Sequence, residues 1–149
     1  SRRLIEFVTW CMEARIQALT VYAFSTENWS RTPSEVQVLM DLLYHYIDEL
    51  RAEAKQRGIR INVLSTDESK IPKHIKHKIR QMVAETSANT QFTLNICLSY
   101  GGRGEIVHAC TSIVQKVQNN QLKVQDIDED IFSQHLYLQD NPDVIIRTS

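Results

Sequence analysis

What this sequence has little of narrows it first. Its three cysteines, Cys11, Cys97 and Cys110, are an odd number at irregular spacing. That argues against a disulfide framework and fits a reducing compartment. No Cys-x-x-Cys or His-x-x-x-His pair occurs, which argues against a structural zinc site. No apolar run reaches the ~18 residues needed to cross a bilayer, and no signal-peptide pattern opens the chain. A cytoplasmic protein is the expectation. Excess charge is absent too: 17 Lys and Arg against 18 Asp and Glu leave a net −1. A nucleic-acid-binding domain is usually clearly basic, so no nucleic-acid partner is expected. Only 4 glycines are present, and none stands in the loop after the first predicted strand. An unrelated doubly wound enzyme with a Gly-rich phosphate loop is thereby disfavoured.

What is present reads as one ordinary globular domain: 149 residues, 42% apolar and 23% charged. Leu4, Val8, Cys11, Met12 and Ile16 recur at helical spacing and predict a helix over residues 3–15. Ala18 to Phe24 is β-branched and aromatic, a buried strand. Thr32-Pro33-Ser34-Glu35 opens a helix: Thr32 can cap it, Pro33 suits the first position, and Glu35 can close a capping box. The helix runs to about Arg57, with Val36, Leu39, Met40, Leu43, Tyr46, Ile47 and Leu50 on one face, and Gly58 stops it. Ile59 to Leu64 is a second strand, Pro72 opens another helix, and Phe92 to Leu98 is a third strand with Cys97 as core. Tyr100-Gly101-Gly102 reads as a turn. Helices are predicted over 103–118 and, short, within 127–137, and Asp143 to Arg147 reads as a fourth strand. Helices alternating with short apolar strands predict an α/β fold, a mostly parallel central sheet with helices on both faces. No repeat, linker or low-complexity segment interrupts it.

In such sheets ligands bind beyond the carboxyl ends of the strands, which singles out the loops Ser25–Pro33 and Ser99–Arg103 and whatever follows Arg147. Ser25-Thr26-Glu27-Asn28-Trp29-Ser30-Arg31 packs hydroxyls, a carboxylate, an amide, an indole and a guanidinium between a strand end and a helix start. Free N–H groups there attract anions, and Arg31 offers a fork that matches phosphate oxygens. A surface loop anchored by one Trp accounts for the same residues. Gly101-Gly102-Arg103 fits an anion cradle or a tight turn. Lys70, Lys73, His74, Lys76, His77, Lys78 and Arg80 form a basic cluster that fits either anionic lipid headgroups or a solvated helix face. His108 and His135 are isolated and suggest no function.

Tyr22-Ala23-Phe24-Ser25-Thr26-Glu27-Asn28-Trp29-Ser30-Arg31 resembles the signature of the cis-prenyltransferases, the undecaprenyl and dehydrodolichyl diphosphate synthases. Asn95-Ile96 through Tyr100-Gly101-Gly102-Arg103 resembles a second family segment, and Asp143-Val144-Ile145-Ile146-Arg147-Thr148-Ser149 the start of a third. Glu35-Val36 through Leu39-Met40-Asp41-Leu42-Leu43 also fits. The resemblance implies a transferase that condenses isopentenyl diphosphate onto an allylic diphosphate such as farnesyl diphosphate. Each addition makes a cis double bond, with magnesium and a hydrophobic tunnel for the growing chain. The products are polyprenyl diphosphates for carriers such as dolichol or undecaprenol.

Carried over by residue, Asn28 matches the asparagine implicated in proton removal, although an amide orients or relays better than it accepts a proton. Ser25, Thr26 and Glu27 match the substrate-lining start of the loop, and Trp29 its aromatic. Arg31 matches an arginine that holds the allylic diphosphate, and Arg147 the first residue gripping isopentenyl diphosphate. Leu39, Leu43 and Leu94 are the tunnel candidates, with plain core as the alternative at each. The family's Asp-Gly-Asn loop is absent, as is the segment that supplies the metal-binding glutamate. The chain therefore reads as a central fragment truncated at both ends, with magnesium ligands mainly outside it and no activity alone. The family usually has Gly where Arg15 stands, so Arg15 costs roughly 1 kcal/mol if that position needs positive φ. Pro33 stands one place later than the proline that often follows the loop arginine.

Members of the family are commonly homodimers, or heteromers with a related subunit, and peripheral contact with the endoplasmic reticulum membrane suits a lipid-making enzyme. A non-catalytic partner subunit is the alternative reading. Such partners typically lose the Ser-x-Glu-Asn-Trp loop, which is intact here.

Overall fold

A computed structural model of the chain describes residues 2–147. Thr148 and Ser149, which end the third family-like segment, lie outside the described residues. The chain divides into two compact units, Ser1–Gly101 and Gly102–Ser149.

The first unit carries α1 (Arg2–Glu13), β1 (Ala18–Ser25), a turn of 3-10 helix (Thr26–Ser30), α2 (Pro33–Arg57), β2 (Ile59–Leu64), α3 (Lys73–Thr86) and β3 (Phe92–Tyr100). The strands form one parallel sheet in the order β1-β3-β2. β3 is central, and its side chains from Leu94 to Ser99 are all buried. Successive strand residues point to opposite faces, so both faces of β3 are covered. One polar ladder crosses all three strands: the buried Asn95 accepts from Asn62 at 2.8 Å and donates to Thr20 Oγ1 at 3.2 Å. This satisfies an amide that would be costly to bury unpaired. The core around it gathers Val8, Met40, Ile47, Leu50, Ile61, Ile75, Met82, Phe92 and Leu94. Cys97 is part of this interior, as its apolar neighbours predict.

Local chemistry sets the ends of α2. Thr32 and Glu35 form the expected reciprocal capping box, Pro33 occupies the first turn, and Gly58 closes the helix at φ 69. Arg15 sits at φ 60, so the position after α1 does require the left-handed region.

The second unit holds α4 (Gly102–Gln118), a 3-10 turn (Val124–Asp126) and α5 (Glu129–Gln134). Asp128 caps α5 by accepting from the Ile131 N–H at 2.8 Å. His108 Nδ1 meets Tyr137 Oη at 2.8 Å. The predicted fourth strand is not formed. Residues 143–147 form no strand. Val144, Ile145 and Ile146 are 74%, 80% and 76% exposed. β-branched residues favour a pleated, half-buried surface, and propensity without a neighbouring strand does not make one. The described sheet has three strands, not four. The predicted turn at Tyr100–Gly102 is likewise tighter than expected, since Tyr100 ends β3 and Gly102 already begins α4.

Candidate functional site

Because the three strands are parallel, β1, β3 and β2 all end at the same edge, and the pairing of β1 with β3 shifts register between Tyr22 and Ser25. The loop after β1 is held there by its own sequence. Ser25 caps the 3-10 turn: its hydroxyl accepts from the Asn28 N–H at 3.3 Å, and its own N–H donates to Asn28 Oδ1 at 2.8 Å. An N–H needs an acceptor, so this bond assigns the amide orientation. Asn28 Oδ1 is committed to the backbone, and the NH2 is the end that can donate to a ligand.

Trp29 is fixed from two sides. Its ring meets Phe24 edge-on with centroids 4.7 Å apart, and its Nε1–H donates to Ser99 Oγ at 2.8 Å. Ser99 is fully buried and sits at φ 50, a conformation few side chains hold without compensation. Its hydroxyl donates to the Asp67 carbonyl at 2.6 Å, and its carbonyl accepts from the Thr66 and Asp67 N–H groups at 3.2 Å each. One residue at the end of β3 therefore ties the loop after β1 to the loop after β2.

Thr26 reaches Gly101 so closely that a Cβ there would fall 2.8 Å from Thr26 Oγ1, so glycine is required for close approach. The Gly101 N–H donates to Thr66 Oγ1 at 3.0 Å. That N–H is spoken for, which favours the turn reading of Gly101 over the anion cradle. Tyr22 Oη donates to the Tyr100 carbonyl at 2.7 Å, and burial, then the Glu27 carboxylate, push its phenol above the ordinary range.

The other predicted residues are more dispersed. Arg31 is exposed at the end of the 3-10 turn, two residues before α2. Glu35 is held below the usual carboxylate range by its hydrogen bonds to Thr32. Leu39 and Leu43 are half-buried on α2 against the core, and Leu94 is fully buried beside Ile5, Val8 and Leu50, around a small cavity. Arg147 is exposed and belongs to the second unit. Among the described residues, no group of three His, Cys, Asp or Glu comes together to hold a metal ion.

Ser99 opens a loop that the strand-end argument names. Thr66 and Asp67 do not, because the sequence reading takes the loops after β1 and β3 and omits the one after β2. The signal was available: Ser65-Thr66-Asp67 follows an apolar strand at the same edge.

Residues 1–149 match the family described as putative undecaprenyl diphosphate synthase. The chain is 39% identical to the tritrans,polycis-undecaprenyl-diphosphate synthase (geranylgeranyl-diphosphate specific) of Pyrococcus abyssi, covering 99% of this chain and 57% of that protein. It is 40% identical to the isoprenyl transferase of Bacillus subtilis, covering 92% and 53%. The lavandulyl diphosphate synthase of Lavandula x intermedia, solved with dimethylallyl diphosphate, matches with a TM-score of 0.79 at 30% identity over 87% of this chain and 55% of that one. A probable undecaprenyl diphosphate synthase from Campylobacter jejuni matches with a TM-score of 0.79 at 28% identity, over 93% and 62%. This chain thus spans from 53% to 62% of the length of these four relatives.

Proposed function

This chain belongs to the undecaprenyl diphosphate synthase family of cis-prenyltransferases, and we propose that its protein condenses isopentenyl diphosphate onto an allylic diphosphate to make cis-polyprenyl diphosphates. The observation that carries the reading is the pinned loop. Ser25 and Asn28 lock each other, Ser99 holds Trp29, and the whole segment stands at the carboxyl edge of a parallel sheet. Ser25, Thr26, Glu27 and Trp29 line the substrate site in this proposal. Arg31 grips the diphosphate of the allylic substrate, and Arg147 that of isopentenyl diphosphate. Leu39, Leu43 and Leu94 border the path of the growing chain. Asn28 acts through its NH2, as a donor that orients the diphosphate substrate, since its oxygen is occupied.

The chemistry is positional. A fixed donor and a guanidinium fork hold an anionic leaving group where charge develops, and they need no reorganisation as it departs. Magnesium, which the family resemblance implies, would neutralise diphosphate charge. The described residues bring no ligand set together for it. A homodimer, or a heteromer with a related subunit, belongs to the same proposal and is checked by light scattering, where a monomer alone would overturn it.

The assay is elongation of farnesyl or geranylgeranyl diphosphate with labelled isopentenyl diphosphate and magnesium by the full-length protein. Long cis-polyprenyl products are expected. Residues 1–149 alone are expected to give none. Arg31→Ala should raise KM for the allylic diphosphate, and Asn28→Ala should lower kcat by about 10²-fold. Asn28→Asp keeps the acceptor for Ser25 N–H and loses the donor, so it should fail as badly as Ala. An active Asn28→Asp enzyme would overturn the donor role. No product from folded wild-type protein would favour a non-catalytic partner subunit.

A further inference from the structure

Charge is unevenly laid out along this chain. Residues 67–80 hold five cations (Lys70, Lys73, Lys76, Lys78 and Arg80) and two acids (Asp67 and Glu68), a net +3. The other 135 residues hold 12 cations and 16 acids, a net −4. The basic block is the loop after β2 and the first half of α3.

Lys78 turns inward, pairing with Asp48 and lying 3.5 Å over the Tyr44 ring. Lys70, Lys73, His77 and Arg80 are exposed. Lys73, Lys76, His77 and Arg80 recur three and four residues apart, so they share one stripe of the helix. The facing acids offset little of this. Asp67 is engaged by Ser69, and Glu68 lies 3.6 Å from Arg80 as an exposed pair. The first turn of α3 carries no acid, and its helix dipole adds positive partial charge.

Beside that stripe a crevice of about 280 Å³ opens between β2 and α3. Val63, Ile71, Ile79 and Val83 form its apolar wall, and Lys76 and Arg80 border it together with Glu68, the acid that faces Arg80. A solvated basic helix needs no such crevice. Nucleic acid would satisfy the cations but would leave the aliphatic wall wet.

We propose that this face docks on an anionic phospholipid surface, with the α3 stripe taking headgroup phosphates and the crevice taking the end of an acyl chain. Juxtaposed cations and apolar area are the two contributions that hold a peripheral protein to an anionic bilayer. The docking stands on charge layout and the crevice and does not depend on prenyl transfer.

The test is co-sedimentation of the purified protein with vesicles of phosphatidylcholine alone or mixed with phosphatidylglycerol. Binding is expected to the mixed vesicles only, and to weaken as salt screens the contact. Lys73→Glu with Arg80→Glu should weaken it about tenfold or more. Lys116→Glu with Lys123→Glu, an equal change in net charge on exposed residues elsewhere, should leave it intact. Val83→Asn, neutral in charge and checked for folding by circular dichroism, should weaken it severalfold. Equal binding to neutral vesicles, binding to neither, or an unchanged Kd in the Lys73/Arg80 variant would overturn the docking. An unchanged Kd in folded Val83→Asn would overturn the acyl-chain half. Neither outcome bears on the elongation assay.

Discussion

Arg15 closes α1 in a conformation its side chain disfavours. The Ile16 N–H reaches the Cys11 carbonyl at 2.9 Å and the Arg15 N–H reaches Met12 at 3.0 Å, the paired bonds that wrap a helix end through a left-handed residue. Glycine bears that φ without a Cβ clash. Arg15→Gly is expected to stabilise the protein by about 1 kcal/mol, or roughly 3 °C in Tm, less whatever the more flexible unfolded chain takes back. A thermal melt that falls instead would show that no strain is stored there. Ser99 is the opposite case, a strained residue whose side chain is engaged. Ser99→Ala keeps the strain and strips a partner from the Trp29 indole and the Asp67 carbonyl, at a cost of about 1–3 kcal/mol. In a Trp10→Phe background, Trp29 emission should shift in Ser99→Ala. An unchanged spectrum would mean that the hydroxyl does not set the pose of the indole. The possible need for positive φ after α1 came from the glycine that the resembling family usually carries there, and Arg15 meets it at φ 60. The role of Ser99 was not legible, because its partners stand 70 and 32 residues away in the chain.

Between elements, α2 and α3 are joined by ionic contacts over an apolar seam. Lys78 meets Asp48, and Arg51 and Lys55 meet Glu85. The hydrogen bond from Lys78 lowers the Asp48 pKa from its ordinary 3.8, and bonds from Gln81 and then Lys55 lower that of Glu85 from 4.5. A depressed carboxylate stabilises the fold fully above its unfolded pKa and loses that contribution as pH falls through the folded value. Wild type should therefore melt slightly above an Asp48→Asn, Glu85→Gln variant at neutral pH, and the gap should close below about pH 4. The gap is small, since both carboxylates are open to solvent. A gap that persists in acid would assign it to packing. The start and stop of α2 were readable because Thr32, Pro33, Glu35 and Gly58 act locally. The expected strand at 143–147 shows the limit of the same approach, since a strand depends on a partner that no local pattern supplies.

At the scale of the whole molecule, the one-domain reading is a proposal beside two compact units. Trp10 and Trp29 report residues 1–101, and a fluorophore on the exposed Cys110 reports 102–149, because Cys11 and Cys97 are buried. One domain predicts a single urea transition with the same midpoint for both probes. Separate midpoints would make each unit its own cooperative body. The charge layout also belongs to this scale. A net charge of −1 hides a basic face, since composition averages over surfaces that a lipid or substrate meets one at a time.

The sequence by itself determined the α/β class, the start and stop of α2, and the Ser25–Arg31 loop with the family resemblance it carries. These follow from periodicity and from chemistry between residues a few places apart. Tertiary structure decided the strand order β1-β3-β2, the tie of Trp29 through Ser99 to Asp67, and the crevice between β2 and α3. Each of those joins residues brought together only by parallel pairing and by the packing of a helix on a strand, distances that no local pattern encodes.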